Sequence, residues 1–239
     1  MFYYLVEPLQ NCNLVLIAAA VIPALFLMVK VYQSDRLEKE SRSLLWQLVK
    51  AGVLSSLIAL VEERVFSYLL GMAVEEDTVL YDVLLYFVVV AVSEESSKYL
   101  MMKRKTWRSL EFNCMFDGVV YAVFVSLGFA LWENISYVLT YGFATAVVRA
   151  ITAIPGHACF GVFMGVFYAI AKKYETDGME KESQKYRILS VLVPVLLHGT
   201  YDYIASTFTS GWYFVIFVAV LFAVSFILVS KKSKNDRYI

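Results

Sequence analysis

The chain has 239 residues, of which 60% are hydrophobic and 16% aromatic, and its mean hydropathy is +0.64. Apolar runs as long as those in this sequence exceed what the core of a soluble domain needs, and they indicate a polytopic membrane protein. The 21 basic and 21 acidic side chains cancel. The chain therefore lacks the excess of positive charge that would indicate a nucleic-acid-binding surface.

Seven segments are long and apolar enough to cross a bilayer as helices, which takes roughly 20 residues each. In chain order they are residues 13–32, 44–72, 78–101, 116–140, 143–171, 188–206 and 212–230. The sequence therefore predicts an all-α membrane protein with about seven transmembrane helices. Since it contains no long soluble loop, we expect one membrane domain, residues 1–239, with a motif-bearing core at about 78–206.

The Lys and Arg residues outside these segments lie in alternate connections. They occupy the first, third and fifth connections and the C-terminal tail: Arg36, Lys39, Arg42, Lys103, Arg104, Lys105, Arg108, Lys172, Lys173, Lys181, Lys185, Arg187, Lys231, Lys232, Lys234 and Arg237. The connections AVEEDTV, YG and TFTSG contain neither residue type. Because cytoplasmic loops carry the positive charge, this alternation predicts an N-terminus outside the cell and a cytoplasmic C-terminus.

Three charges interrupt the third apolar segment: Glu94, Glu95 and Lys98. An ionisable group inside a span costs about 2.5–3.5 kcal/mol on insertion scales and therefore usually marks function. Lys98 follows the two glutamates by four and three residues, so on a helix it reaches either carboxylate. One interpretation is a catalytic pair in which one carboxylate is the base and the other an acid. The alternative is an ion pair at the helix end whose lysine reaches the cytoplasm.

Acidic residues also lie in the fourth and second segments. Glu133 and Asn134 lie well inside the fourth segment, with no cation nearby in the sequence, which favours a functional role. Glu62 and Glu63 of the second segment lie beside Arg64 and toward the acidic AVEED connection. We expect this second pair to be interfacial or structural.

The chain has two histidines, His157 and His198, and both lie near the middle of a predicted span. Pro155 and Pro194 precede them within about one turn, and a proline inside a helix removes a backbone hydrogen bond and opens space. Asp202 follows His198 by four residues on the same helix face. Two histidines at matching depth, each beside a proline, favour a site over two unrelated core residues.

Four short motifs occur in order on successive predicted helices: EESSK, FALWEN, HACFG and HGTYD. They fit the patterns EExxK, FxxxEN, HxxxG and HxxxD, and together with the stretch FDGVVYAVFVSLGFALWENI they resemble the PrsW family of intramembrane proteases. The resemblance covers about residues 93–203. It implies a protease of the bacterial cytoplasmic membrane that makes the first cut in a single-pass anti-sigma factor and so leads to sigma-factor activation.

The same motifs are more distantly similar to the CAAX prenyl endopeptidases and the ABI group of membrane proteins. In that group the second motif normally ends in histidine, whereas this chain has Glu133 there. The difference favours PrsW over the prenyl-processing branch and removes one histidine from any metal site.

The resemblance and the intramembrane charges together give a set of expected site residues. We expect the catalytic residues to be Glu94, Glu95, Glu133, His157 and His198, supported by Lys98, Asn134 and Asp202. Peptide hydrolysis requires a general base, a stabilised oxyanion and a proton for the leaving amine.

Two ways of activating the water remain open. In the first, His157, His198 and either Glu133 or Asp202 bind Zn²⁺ and leave one position free, as in catalytic zinc sites. In the second, no metal takes part: a glutamate of EESSK activates the water directly, while a protonated histidine and Asn134 stabilise the oxyanion. The resemblance favours the metal, because the family is grouped with metallopeptidases.

Other classes of function also place ionisable groups inside a membrane. A proton-coupled transporter uses them as a relay, and a non-catalytic ABI-like scaffold keeps such motifs without the reaction. A transporter is expected to show inverted repeats with interrupted helices in matching halves, and the sequence shows no such symmetry.

Overall fold

The computed structural model of the chain describes residues 14–208 and 211–239. The α-helices of these residues are α1 (Leu14–Ser34), α2 (Arg42–Ala73), α3 (Val79–Val83), α4 (Ala91–Thr106), α5 (Asp117–Tyr141), α6 (Phe143–Ile151), α7 (Ala153–Thr176), α8 (Glu180–Thr207) and α9 (Gly211–Lys234). A π-helical segment, Leu84–Val90, joins α3 to α4. The prediction of an all-α protein is confirmed.

Six helices in the described part of the chain have the length and apolarity of a membrane span. They are Leu16–Ser34, Arg42–Ala73, Asp117–Tyr141, Phe143–Thr176, Glu180–Thr207 and Gly211–Lys234. Each overlaps one predicted segment, and α6 and α7 count as a single span. The predicted start of the first span, residue 13, and residues 209–210 of the last connection lie outside the described residues.

The predicted third span, residues 78–101, is helical but is not among these six. α3, the π-helical segment and α4 follow one another without a gap, so that no single α-helix in this region is long enough to span. Its last part, α4, also holds the three intramembrane charges and ends in a basic cluster. π-Helical turns often occur at functional sites, and this one ends one turn before Glu94.

The central helix of the bundle is α5, which packs between α2 and α7. A Cβ atom on Gly52 of α2 would collide with the carbonyl oxygen of Val125, and one on Gly165 of α7 would collide with that of Gly118. Both neighbours therefore approach α5 to backbone contact, which only a residue without a side chain allows. This close packing sets the depth and rotation of α7 relative to α5.

One end of the bundle carries the connections that are rich in Lys and Arg, and we call it the Lys/Arg-rich end. There the C-terminal tail folds back onto the loop before α5. The Met115 N–H donates to the Arg237 carbonyl at 2.9 Å, and the Ile239 N–H donates to the Asn113 carbonyl at 2.8 Å. Beside this contact the Glu40 side chain, which follows α1, is buried with 5% exposure. Burial raises the pKa of Glu40 to about 9, and the neighbouring Asp117 carboxylate adds to the rise.

The raised pKa of Glu40 predicts a loss of stability as the pH rises. When the pH is above 4.5, the ordinary pKa of a glutamate, Glu40 keeps its proton in the folded chain but has released it in the unfolded chain. The free energy of unfolding therefore falls by up to about 1.4 kcal/mol per pH unit until the pH reaches the folded-state pKa. We expect Glu40→Gln to match wild type near pH 5 and to be more stable than wild type at pH 8.

Thermal unfolding of the detergent-solubilised protein at pH 5, 7 and 8 measures this difference. Glu75→Gln, which changes an exposed glutamate, is the matched control and should follow wild type at every pH. Parallel pH profiles for wild type and Glu40→Gln would contradict the prediction.

Candidate active site

The ionisable side chains predicted from the sequence meet inside the helix bundle. α4 contributes Glu94, Glu95 and Lys98, α5 contributes Glu133, α7 contributes His157, and α8 contributes His198 and Asp202. All of them line or adjoin one pocket of about 400 Å³. The structure therefore brings together seven of the eight expected site residues.

Lys98 lies at the centre of this group and is fully buried. Its ammonium donates to Glu95 Oε1 at 2.8 Å and Glu94 Oε2 at 3.0 Å, and it lies 3.2 Å from His157 Nδ1. It also lies 3.9 Å from the centre of the Phe129 ring. Three acceptors match the three N–H donors of an ammonium group. The interpretation of an ion pair reaching the cytoplasm is wrong, because no part of this lysine is exposed.

His157 connects Lys98 to a second ion pair. Its Nε2 lies 2.8 Å from Glu133 Oε2, and Arg149 Nη2 lies 2.8 Å from the same carboxylate oxygen. A neutral imidazole with its proton on Nε2 satisfies both sides, since Nε2–H donates to Glu133 and Nδ1 accepts from Lys98. The Nδ1 lone pair then points at the Lys98 ammonium of α4.

His198 has a similar arrangement on α8. Its Nδ1 lies 2.9 Å from Glu95 Oε1, and its Nε2 lies 3.3 Å from Asp202 Oδ2. The imidazole stacks on Phe160, with ring centres 4.8 Å apart. Both histidines thus turn one nitrogen toward α4 and the other toward a carboxylate on the far side.

The two glutamates of α4 differ in access. Glu94 lines the pocket and is 6% exposed, whereas Glu95 is 0% exposed and is not part of the lining. Glu95 Oε1 holds both Lys98 and His198. Only Glu94 of this pair can therefore contact a molecule in the pocket.

Within the described residues, one group has the geometry of a metal site: Glu94, Glu95, His157 and His198. One ligand atom from each lies within 4.8 Å of the others, and all four residues are buried. Carboxylate oxygens and imidazole nitrogens are ligands that Zn²⁺ accepts. Lys98 places a positive charge against Glu94, Glu95 and His157, so a metal ion bound by these residues would lie beside this ammonium. The donor set therefore fits a metal ion.

This set differs from the ligands predicted from the sequence. Both histidines are common to the two sets, but Glu94 and Glu95 stand where Glu133 or Asp202 was expected. Glu133 and Asp202 instead contact the opposite nitrogens of the imidazoles. Carboxylates in that position orient metal-binding histidines without touching the ion.

Asn134 is the expected residue that the structure places elsewhere. Its amide nitrogen donates to the Ala20 carbonyl of α1 at 2.9 Å, and its oxygen accepts from Arg149 Nε at 3.0 Å. Both ends of the side chain are therefore engaged. Asn134 thus ties α5 to α1 and holds Arg149, and it is not among the residues that line the pocket.

Glu63 is a pocket residue that the sequence reasoning treated as interfacial or structural. It lines the pocket together with Ser56 and Leu60 of α2, whereas Glu62 accepts from Ser97 at 3.3 Å. Because Arg64 is adjacent in the sequence, it was expected to pair with Glu63, and the sequence alone did not indicate that Glu63 lines the pocket. The spacing of seven residues between Ser56 and Glu63, which places both on one helix face, was the available signal.

Fold and site together define an integral membrane protein that buries carboxylate, imidazole and ammonium side chains inside its helix bundle. Residues 40–229 match the family described as PrsW family intramembrane metalloproteases. The chain therefore belongs to the PrsW family and is a multi-pass bacterial membrane protease, the class that the sequence motifs predicted.

Individual relatives agree with this assignment. Protease PrsW of Halalkalibacterium halodurans is 30% identical over 224 residues, which are 93% of this chain and 99% of the relative. Protease PrsW of Geobacillus kaustophilus is 35% identical over 190 residues, 79% of each chain. Protease PrsW of Bacillus subtilis is 38% identical over 123 residues, 52% of this chain and 55% of the relative. No solved structure matches the chain.

The burial of Lys98 predicts a large loss of stability when its charge is removed. Lys98→Met leaves Glu94 and Glu95 buried without a cation, and breaking a buried ion pair in this way costs about 3–5 kcal/mol. We expect a loss of this size in the free energy of unfolding, measured by denaturant titration in detergent with a chelator present. Adding Glu95→Gln to Lys98→Met should recover part of it.

Lys103→Met is the matched control, because Lys103 lies on the same helix and has no carboxylate partner among the described residues. If Lys98→Met unfolds at the same denaturant concentration as this control, the ammonium does not stabilise the cluster.

Proposed function

We propose that this protease cleaves a peptide bond of a single-pass membrane protein, and that the substrate is an anti-sigma factor whose cleavage leads to sigma-factor activation. The observation that carries the proposal is the meeting of Glu94, Glu95, His157 and His198 at one pocket inside the helix bundle. A site at that depth acts on a segment that is itself within or next to the bilayer. The motif resemblance supports the identity of the substrate.

Glu94 is the general base in this proposal. It is the glutamate of α4 that reaches the pocket, and Lys98 holds its carboxylate from behind at 3.0 Å. Glu94 takes a proton from the attacking water and returns it to the leaving amine. Arg149, which lines the same pocket, lies where it can face negative charge that develops on the substrate.

Glu95, His157 and His198 hold a Zn²⁺ ion in this proposal. Three protein ligands with one open position are typical of catalytic zinc. When bound, the ion supplies Lewis-acid chemistry, polarising the scissile carbonyl and activating water. Glu133 and Asp202 fix the far nitrogens of the two imidazoles, so that the near nitrogens face α4.

We further propose seven spans in one membrane domain, with the N-terminus outside, the C-terminus in the cytoplasm and the motif-bearing core at about 78–206. The helical run Val79–Thr106 is then the additional span, in which the cost of its charges is offset by their mutual pairing. Alternation of the Lys/Arg-rich connections supports this topology.

The pocket opens toward the outer surface in this topology. Its lining lies mainly in the second halves of α2, α5 and α8 and in the first half of α7. Because successive spans alternate in direction, these parts lie at the same end of the bundle, opposite the Lys/Arg-rich connections. The proposed cleavage therefore takes place near the outer membrane surface.

Cleavage of a co-reconstituted single-pass substrate, with metal content measured on the same samples, tests the proposed chemistry. We expect Glu94→Gln to lose about 10²–10⁴-fold in rate and to keep its zinc. Glu95→Gln and His157→Ala are expected to lose both cleavage and zinc, whereas Glu75→Gln retains both. Cleavage by Glu94→Gln at the wild-type rate would overturn its role. Active wild-type enzyme without zinc, insensitive to chelator, would establish the metal-free glutamate mechanism instead.

Labelling of an introduced cysteine tests the outward opening. Ser206 is exposed and lines the pocket, so in a chain whose own three cysteines are replaced we expect Ser206→Cys to react with a membrane-impermeant thiol reagent added to intact cells. Lys181→Cys, at the opposite end, should react only after the cells are opened. The reverse pattern would overturn both the topology and the direction of access.

A further inference from the structure

We propose that a cleft at the Lys/Arg-rich end of α4, α7 and α8 binds the phosphate group of an anionic phospholipid. The cleft encloses about 760 Å³ and is lined by Leu100, Lys103, Arg104, Trp107, Arg108, Lys172, Glu175 and Arg187. Ligand sites commonly have volumes of about 300–1,000 Å³. No residue of this cleft takes part in the proposed cleavage, so the inference stands apart from that function.

The cleft contains five cationic side chains and one carboxylate. That carboxylate, Glu175, is already engaged: it accepts from Lys172 at 2.9 Å, from Arg187 at 2.9 Å and from Trp107 Nε1 at 2.8 Å. The other three cations have no carboxylate within 4.0 Å among the described residues: Lys103, Arg104 and Arg108. Their charge is therefore available to an anion.

The floor of the cleft is held in place before any ligand binds. Trp107 is 8% exposed, and its ring centre lies 4.5 Å from the Arg187 guanidinium and 5.2 Å from the Lys172 ammonium. Lys172 also donates to the Trp107 carbonyl at 3.0 Å. Since these side chains are already ordered, binding costs little of their conformational entropy.

The apolar edge of the cleft favours a lipid over a soluble phosphate compound. Leu100 is 54% exposed and lies one helical turn deeper than Arg104 on the same face of α4. Moving along the helix from Leu100, a ligand would meet an apolar surface and then positive charge, which is the order of acyl chain and phosphate in a lipid. Basic pockets between transmembrane helices at the cytoplasmic side bind anionic head groups.

Native mass spectrometry of the full-length protein in mixed micelles of phosphatidylglycerol and phosphatidylcholine tests the proposal. We expect wild type to retain phosphatidylglycerol over phosphatidylcholine by about tenfold or more, and Arg104→Gln/Arg108→Gln to lose most of this preference. The control variant Lys181→Gln/Lys185→Gln removes the same amount of charge from exposed positions at the same end of the molecule. It should keep the preference for phosphatidylglycerol. Equal retention by both double variants would overturn the site.

Two competitors distinguish the lipid from other anions. Glycerol 1-phosphate carries the same phosphate without acyl chains, and an oligo-glutamate peptide represents an acidic protein segment. Neither is expected to displace phosphatidylglycerol at an equal concentration. Displacement by glycerol 1-phosphate would mean a soluble ligand, and displacement by the peptide would mean a protein partner; either result would overturn the lipid assignment.

Discussion

The buried ammonium of Lys98 is the constraint around which the rest of the site is arranged. A lysine charge with no exposure is tolerated only where anions and acceptors surround it, and here Glu94, Glu95 and His157 do so. Two of these partners lie on the same helix, but His157 comes from α7. The position of α7 against α4 is therefore fixed by charge as well as by packing, and the same interaction aligns both the fold and the candidate active site.

Backbone contact around α5 makes this charge arrangement possible. Polar side chains from four helices can meet only if the helices approach closely and at a definite depth. Gly52 and Gly165 let α2 and α7 touch α5 directly. This close approach brings Glu133 of α5 into contact with His157, and Phe129 of α5 lies against Lys98. In a membrane, where burial of apolar surface does not drive helix association, such close contacts and internal polar bonds supply much of the specificity.

The sequence predicted those features that depend on local spacing. Helix class, six of the spans and the Lys98 ion pairs all follow from apolar length or from residues three and four apart. The hydrogen-bond partners of His157 and His198 could not be predicted in this way, because these contacts depend on how neighbouring helices are rotated and how deep in the bundle they lie. Asn134 was misplaced for the same reason, since nothing near it in sequence indicates that its amide bonds to α1. The sequence also did not predict the π-helical segment before α4, because its residues are as apolar as those of an ordinary span.

The charge of the cluster connects the two mechanisms that the sequence left open. With neutral imidazoles, the group contains four carboxylates and two cations: Glu94, Glu95, Glu133 and Asp202 against Lys98 and Arg149. Two negative charges are then left without a partner in a region of low dielectric, where this is expensive. A divalent cation between the ligands removes the excess, and so does protonation of His157 and His198. The metal-dependent and metal-free mechanisms are therefore two ways of balancing the same charge. The metal-dependent mechanism agrees with the description of the family as metalloproteases, and in this geometry each imidazole turns one nitrogen toward α4, where Glu95 lies.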